Sequence, residues 1–78
     1  MTADVTVDVR DMTCAQALAR VSRAMAGLTA GQVAAVQGTA SDVRNDVQSW
    51  ARSLRHAVVA SDERDGEFCV WIQTSVSA

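Results

Sequence analysis

The chain has 78 residues, 49% hydrophobic and 21% charged, with a formal net charge of −2. That suffices for one small core and is not the composition of a disordered chain, while the absence of a basic run excludes the electrostatic footprint of a nucleic-acid binder. No apolar run approaches the ~20 residues that cross a bilayer. The N-terminus carries Asp4 and Asp8 and has no basic segment followed by an apolar one, so a signal peptide is not expected and the cytoplasm is the default location. In that reducing compartment Cys14 and Cys69 are expected to be thiols. All seven basic residues are arginine, which excludes a lysine Schiff base and a P-loop.

Val5, Val7 and Val9 alternate with Thr6, Asp8 and Arg10, the period-2 pattern of a half-buried strand. Thr13 then suits a helix N-cap, with Gln16 completing a capping box and Cys14 as the first helical residue. Leu18, Val21, Met25 and Leu28 form the apolar stripe of this helix, and Gly27 and Gly31 bracket its end and a turn. Gln32 to Gln37 reads as a well-covered strand, and Gly38 to Ser41 as a loop. Ser41 or Asp42 is the candidate cap of a second helix, whose stripe is Val43, Val47, Trp50 and Leu54. His56 to Ser61 is a third strand, Asp62 to Gly66 a polar hairpin loop with Gly66 at positive φ, and Glu67 to Thr74 a fourth strand. Ser75 to Ala78 is expected to fray.

The order β-α-β-α-β-β implies an α/β (α+β) two-layer sandwich, with a four-stranded mixed sheet carrying two helices on one face. Strand-helix-strand units call for parallel pairs with right-handed crossovers, and the closing hairpin for an antiparallel one. The chain, 1–78, reads as a single domain with its core in 5–73. Phe68, Val70 and Ile72 share one face of the last strand, which puts Cys69 and Trp71 on the other, uncovered face. There Trp71 either forms part of a partner surface or lies over neighbouring strands.

Cys14 is the candidate for chemistry. The first turn of a helix presents a partial positive charge of roughly half a unit, which favours a thiolate. A carboxylate at Asp11 would act the other way. The alternative is that Cys14 packs as a small hydrophobe. One histidine and two distant cysteines exclude the C-x-x-C and H-E-x-x-H metal patterns, and there is no G-x-S-x-G elbow. A Cys14–His56 pair or a Cys14–Cys69 disulfide would depend on geometry that sequence spacing does not supply.

The segment from Asp8-Val9-Arg10 to Cys14, the element order, Asp46 and Trp50 in the second helix and His56 after it together resemble the TusA/SirA-like sulfur carriers over roughly residues 5 to 73. That resemblance implies a protein that carries a persulfide on Cys14, with Arg10 as a supporting group. It implies a protein sulfur donor such as a cysteine desulfurase or a rhodanese, a protein acceptor, and no metal or organic cofactor. Family members serve tRNA thiolation, molybdenum-cofactor metabolism or sulfur oxidation. The family's Cys-Pro-Xaa-Pro is here Cys14-Ala15-Gln16-Ala17, and its usual glycines after the arginine and before the histidine are Asp11 and Arg55. If active, the chain would be a sulfurtransferase-type carrier. The alternative is a non-transferring paralogue acting as an interaction or regulatory module, with Arg20, Arg23 and Trp71 as its partner-binding residues. A thiol redox sensor using Cys14 and Cys69 ranks last.

Overall fold

Alternating valines make β1 (Val5–Asp8) a strand, and the computed structural model, which describes residues 2–75, places it at one edge of a four-stranded sheet. The other elements are α1 (Cys14–Ala26), β2 (Val33–Gly38), α2 (Ser41–Ser53), β3 (Ala57–Arg64) and β4 (Glu67–Gln73). The strand order is β1-β2-β4-β3. Thus β1 and β2 are a parallel pair, while β4 runs antiparallel to both β2 and β3. The second strand-helix-strand unit does not give a directly bonded parallel pair, because β4 folds back into the space between β2 and β3. Of the tail expected to fray from Ser75 on, Ser75 itself is held by its N–H donating to His56 Nδ1 at 3.0 Å, and 76–78 lie outside the described residues.

Helix α1 starts as its sequence requires. Gln16 N–H donates to Thr13 Oγ1 at 3.2 Å and Thr13 N–H donates to Gln16 Oε1 at 3.0 Å, a complete capping box. Ala17, Val21 and Met25 form its buried line, flanked by Leu18, Ala24 and Leu28. Helix α2 buries Val43, Val47 and Ala51 at four-residue spacing. Its cap is Ala40, which makes no side-chain bond, so neither Ser41 nor Asp42 caps it. Ser41 is already helical, and Asp42 sits in the first turn. Leu54 is 51% exposed rather than part of the stripe. Helix α2 ends at Ser53, and Arg55 at φ 65 turns the chain away, which swings Leu54 off the buried line. Trp50 is partly buried and packs against the core.

Val7 and Val9, Ala34 and Val36, and Phe68, Val70 and Ile72 meet the buried faces of α1 and α2 in one core. Both helices therefore cover the same sheet face. Gly38 is the last residue of β2 rather than a loop residue. A Cβ there would stand 2.6 Å from Phe68 Cζ, so the ring takes the space that only glycine leaves open. The hairpin is tighter than its polar composition implies. Asp62 and Glu63 pair with Cys69 and Phe68 in the ladder, leaving Asp65 and Gly66, at φ 55 and 79, as a two-residue turn. A bulge between Val58 and Ala60 leaves Val59 40% exposed on the β3 edge.

On the uncovered face Thr6, Ala35, Trp71 and Ala60 fall in one cross-strand row. Trp71 is half-buried between two alanines, and Ala35 beside it is only 4% exposed. At the end of β4, Thr74 Oγ1 donates to Thr29 O at 2.6 Å, tying the strand to the loop between α1 and β2. No helix among the described residues is long and apolar enough to cross a membrane.

Candidate functional site

Thr13 fixes where α1 begins, and so fixes Cys14 on its first turn. The side chain is half-buried against the edge of the core and points toward the first turns of α2. Its Sγ lies 3.9 Å from Asp42 Oδ2. Asp46 is four residues further on, so both carboxylates sit on one face of α2. Asp42 Oδ1 accepts the N–H of Val43 at 3.0 Å, which holds the carboxylate against the helix start.

This arrangement reverses the effect expected of a helix N-terminus. Hydrogen bonding to Asp46, withdrawal from water, the charges of Asp46 and Asp42, and a hydrogen bond to Asp42 push the thiol up from 9.0 to about 11. Asp11 is not among the groups that act on it, so the carboxylate effect comes from α2 and not from the loop preceding α1. Asp42 lies 28 positions from Cys14, a separation that no local pattern spans. In the sequence Asp46 is one of the residues that carry the family resemblance, and its four-residue spacing from Asp42 places the two on one helix face.

Arg10 follows β1, and its Nη2 lies 2.9 Å from Glu67 Oε1 at the start of β4. The guanidinium thus ties the segment leading to Cys14 to the neighbouring sheet. It is not among the groups that set the thiol's protonation. His56 lies past the C-terminal end of α2, whereas Cys14 meets the N-terminal end. A 13-residue helix separates those ends by about 20 Å, so the two do not form a cysteine–histidine pair. His56 instead accepts the N–H of Ser75 on Nδ1 at 3.0 Å, and its ring centroid is 5.8 Å from that of Trp50.

Cys69 lies on the uncovered sheet face beside Gln37 and Asp62. Burial pushes its thiol up, with a contribution from the charge of Asp62, against a lowering hydrogen bond with Gln37. Cys14 belongs to the helical layer on the other face, so the sheet separates the two thiols and both are free. Arg20 and Arg23 are exposed on α1 along a groove beside β1. The structure thus brings Cys14 together with Asp42 and Asp46, places Arg10, Arg20 and Arg23 along one groove, and leaves Trp71 on the uncovered sheet face.

The model of the family described as Sulfurtransferase TusA matches residues 5–74. The chain belongs to the TusA family. A Bacillus subtilis (strain 168) protein named "Putative sulfur carrier protein YrkI" is 27% identical over 73 residues, covering 94% of this chain and 97% of that one. A similarly named sulfur carrier of Neisseria meningitidis serogroup A, NMA0882, is 28% identical over 68 residues, covering 87% and 92%. The crystal structure of the SirA-like protein from Desulfitobacterium hafniense superposes with a TM-score of 0.81 at 26% identity, covering 91% of this chain and 97% of that one. Asp11 and Arg55 stand at φ 61 and 65, in the left-handed region that suits glycine.

Proposed function

We propose that this TusA-family chain is a sulfur carrier in which Cys14 holds the transferred sulfur. The thiolate of Cys14 attacks the outer sulfur of a donor persulfide, R–S–SH. A new S–S bond forms as the donor's S–S bond breaks, and the donor leaves as a thiolate that takes up the proton Cys14 gave up. The products are Cys14–S–SH and R–SH, with no net oxidant consumed. An acceptor thiolate then attacks the outer sulfur and regenerates Cys14. The donor is a protein such as a cysteine desulfurase or a rhodanese, the acceptor is a second protein, and the exchange takes place in the cytoplasm. Arg10, anchored by Glu67, positions the segment that presents Cys14. Arg20, Arg23 and Trp71 are the proposed partner contacts.

The observation that carries this reading is a half-buried thiol on the first turn of α1 in a TusA-family chain. The test is the intact mass after incubation with a cysteine desulfurase and cysteine. A reducible gain of one sulfur is expected, lost in Cys14→Ser and kept in Cys69→Ser. A gain that survives Cys14→Ser overturns the assignment.

The carboxylates beside Cys14 favour a second reading, a non-transferring interaction module. A thiol held at about 11 is almost wholly protonated at neutral pH. On this reading no persulfide forms with either donor class, and partner capture survives Cys14→Ser but not Trp71→Ala.

A further inference from the structure

The two edges of the sheet are built differently. The β3 edge carries the bulge at Val58/Ala60 and ends in Asp62, Glu63 and Arg64. Bulges and charges of this kind discourage a further strand from pairing. The β1 edge has no bulge: its register with β2 is regular over Val5–Asp8, and its one charge within the strand is Asp8 at the C-terminal end. Alternate N–H and C=O groups of a strand point to opposite sides, so half of those on β1 face away from β2.

Beside that edge runs a groove of about 930 Å³ between β1 and α1. Val5, Val7, Met12 and Ala24 give it an apolar floor, and Arg20 and Arg23 line its α1 side. Neither arginine belongs to an ion pair among the described residues, where the pairs are Arg10–Glu67 and Arg44–Glu63. The α1 side of the groove is positive, since α1 has no acidic residue to offset Arg20 and Arg23, while Asp8 and Asp11 line the β1 side and Arg10 is held by Glu67. An unpaired regular strand supplies main-chain hydrogen bonds to an extended peptide, and flanking cations select its charge. A second copy of this chain is the poorer occupant, because it would set the same arginines against each other.

We propose that the β1 edge and the adjoining groove take an extended acidic segment of a partner protein, added beside β1 as a fifth strand with its carboxylates on Arg20 and Arg23. This rests on those arginines forming a partner contact and not on sulfur transfer by Cys14. The probe is a capped synthetic peptide of alternating glutamate and valine, with the lysine–valine counterpart as control, titrated into ¹⁵N-labelled protein. Expected are shifts and slowed amide exchange over Val5–Asp8, absent with the lysine peptide. Arg20→Ala with Arg23→Ala should weaken binding about tenfold, the loss of two exposed charge pairs, while Arg52→Ala, exposed on α2, leaves it unchanged. A melting temperature equal to that of the parent shows that the double variant is folded. Shifts centred on Trp71 and Cys69, equal binding of both peptides, or no shift at millimolar peptide would each overturn the proposal. So would β1 shifts that grow with protein concentration alone and accompany dimer mass, since a second copy would then hold the edge.

Discussion

Asp42 Oδ2 stands 3.9 Å from Cys14 Sγ, and the start of α2 thereby governs the acidity of a thiol at the start of α1. Asp46, one turn on, acts on it most strongly, and together with burial and the nearby Asp42 it holds the thiol at about 11. At neutral pH, two units cost about 100-fold in thiolate, while the more basic thiolate is about eightfold more nucleophilic. Alkylation of Cys14 by iodoacetamide should therefore be about tenfold slower than that of an ordinary thiol. Asp42→Asn with Asp46→Asn should remove most of that deficit and move the inflection of the pH–rate profile down from about 11. An unchanged inflection would show that burial, and not the carboxylates, sets it.

The same shift predicts an alkaline loss of stability. Because the folded state binds the Cys14 proton more tightly than the ordinary 9.0 allows, the contribution is complete below pH 9 and is lost as pH rises through about 11. The chain contains no lysine and no tyrosine, so few other groups titrate in that window. Cys69, also raised, acts in the same direction. The melting temperature should fall between pH 9 and 11, and less so in Cys14→Ser. A fall of equal size in that variant would assign the effect to Cys69.

Residues close in sequence announced themselves, and those brought together by the fold did not. Thr13 and Gln16 marked the start of α1, Phe68, Val70 and Ile72 marked the core face of β4, and Gly66 marked the hairpin, each within seven residues. The insertion of β4 between β2 and β3 was not legible, because it depends on which strand edges are left open after α2 crosses the sheet. Leu54 matched the helical period, yet helix period says nothing about where Arg55 breaks it. At the site, sequence alone singled out Cys14 and its place on the first turn of α1. The Asp42–Asp46 pair needed the packing of α1 on α2.

Ala40 leaves the N-terminus of α2 without a side-chain acceptor. Its backbone is already extended, as a cap requires, at φ −92 and ψ 124. Ala40→Ser should therefore stabilise the fold by about 1 kcal/mol. The check is a higher urea midpoint with an unchanged slope, and a lower midpoint would mean that the hydroxyl cannot reach the exposed N–H groups.

Arg55 holds a left-handed backbone that costs an L-residue roughly 1–2 kcal/mol, partly offset in the comparison by the greater chain entropy of glycine. Arg55→Gly should stabilise the protein by about 0.5–1 kcal/mol. Asp11→Gly should gain less, because aspartate visits this region more readily. Equal gains at the two sites, measured by urea unfolding, would point to lost side-chain contacts rather than to backbone strain.

Gly38 and Phe68 share a space that admits only one side chain. A Cβ at 38 would meet Phe68 Cζ at 2.6 Å and Cε2 at 2.7 Å, with Val9 Cγ2 at 3.1 Å behind. The ring is only 3% exposed and has no solvent to swing into. Gly38→Ala should accordingly destabilise by ~1–3 kcal/mol through overpacking. Phe68→Leu alone also destabilises, by removing buried aromatic area. In the double variant the added methyl enters the space that the ring vacates, so its loss should be smaller than the sum of the two single losses. Simple additivity in that cycle would show that the cost of Gly38→Ala arises from the strand backbone and not from the ring.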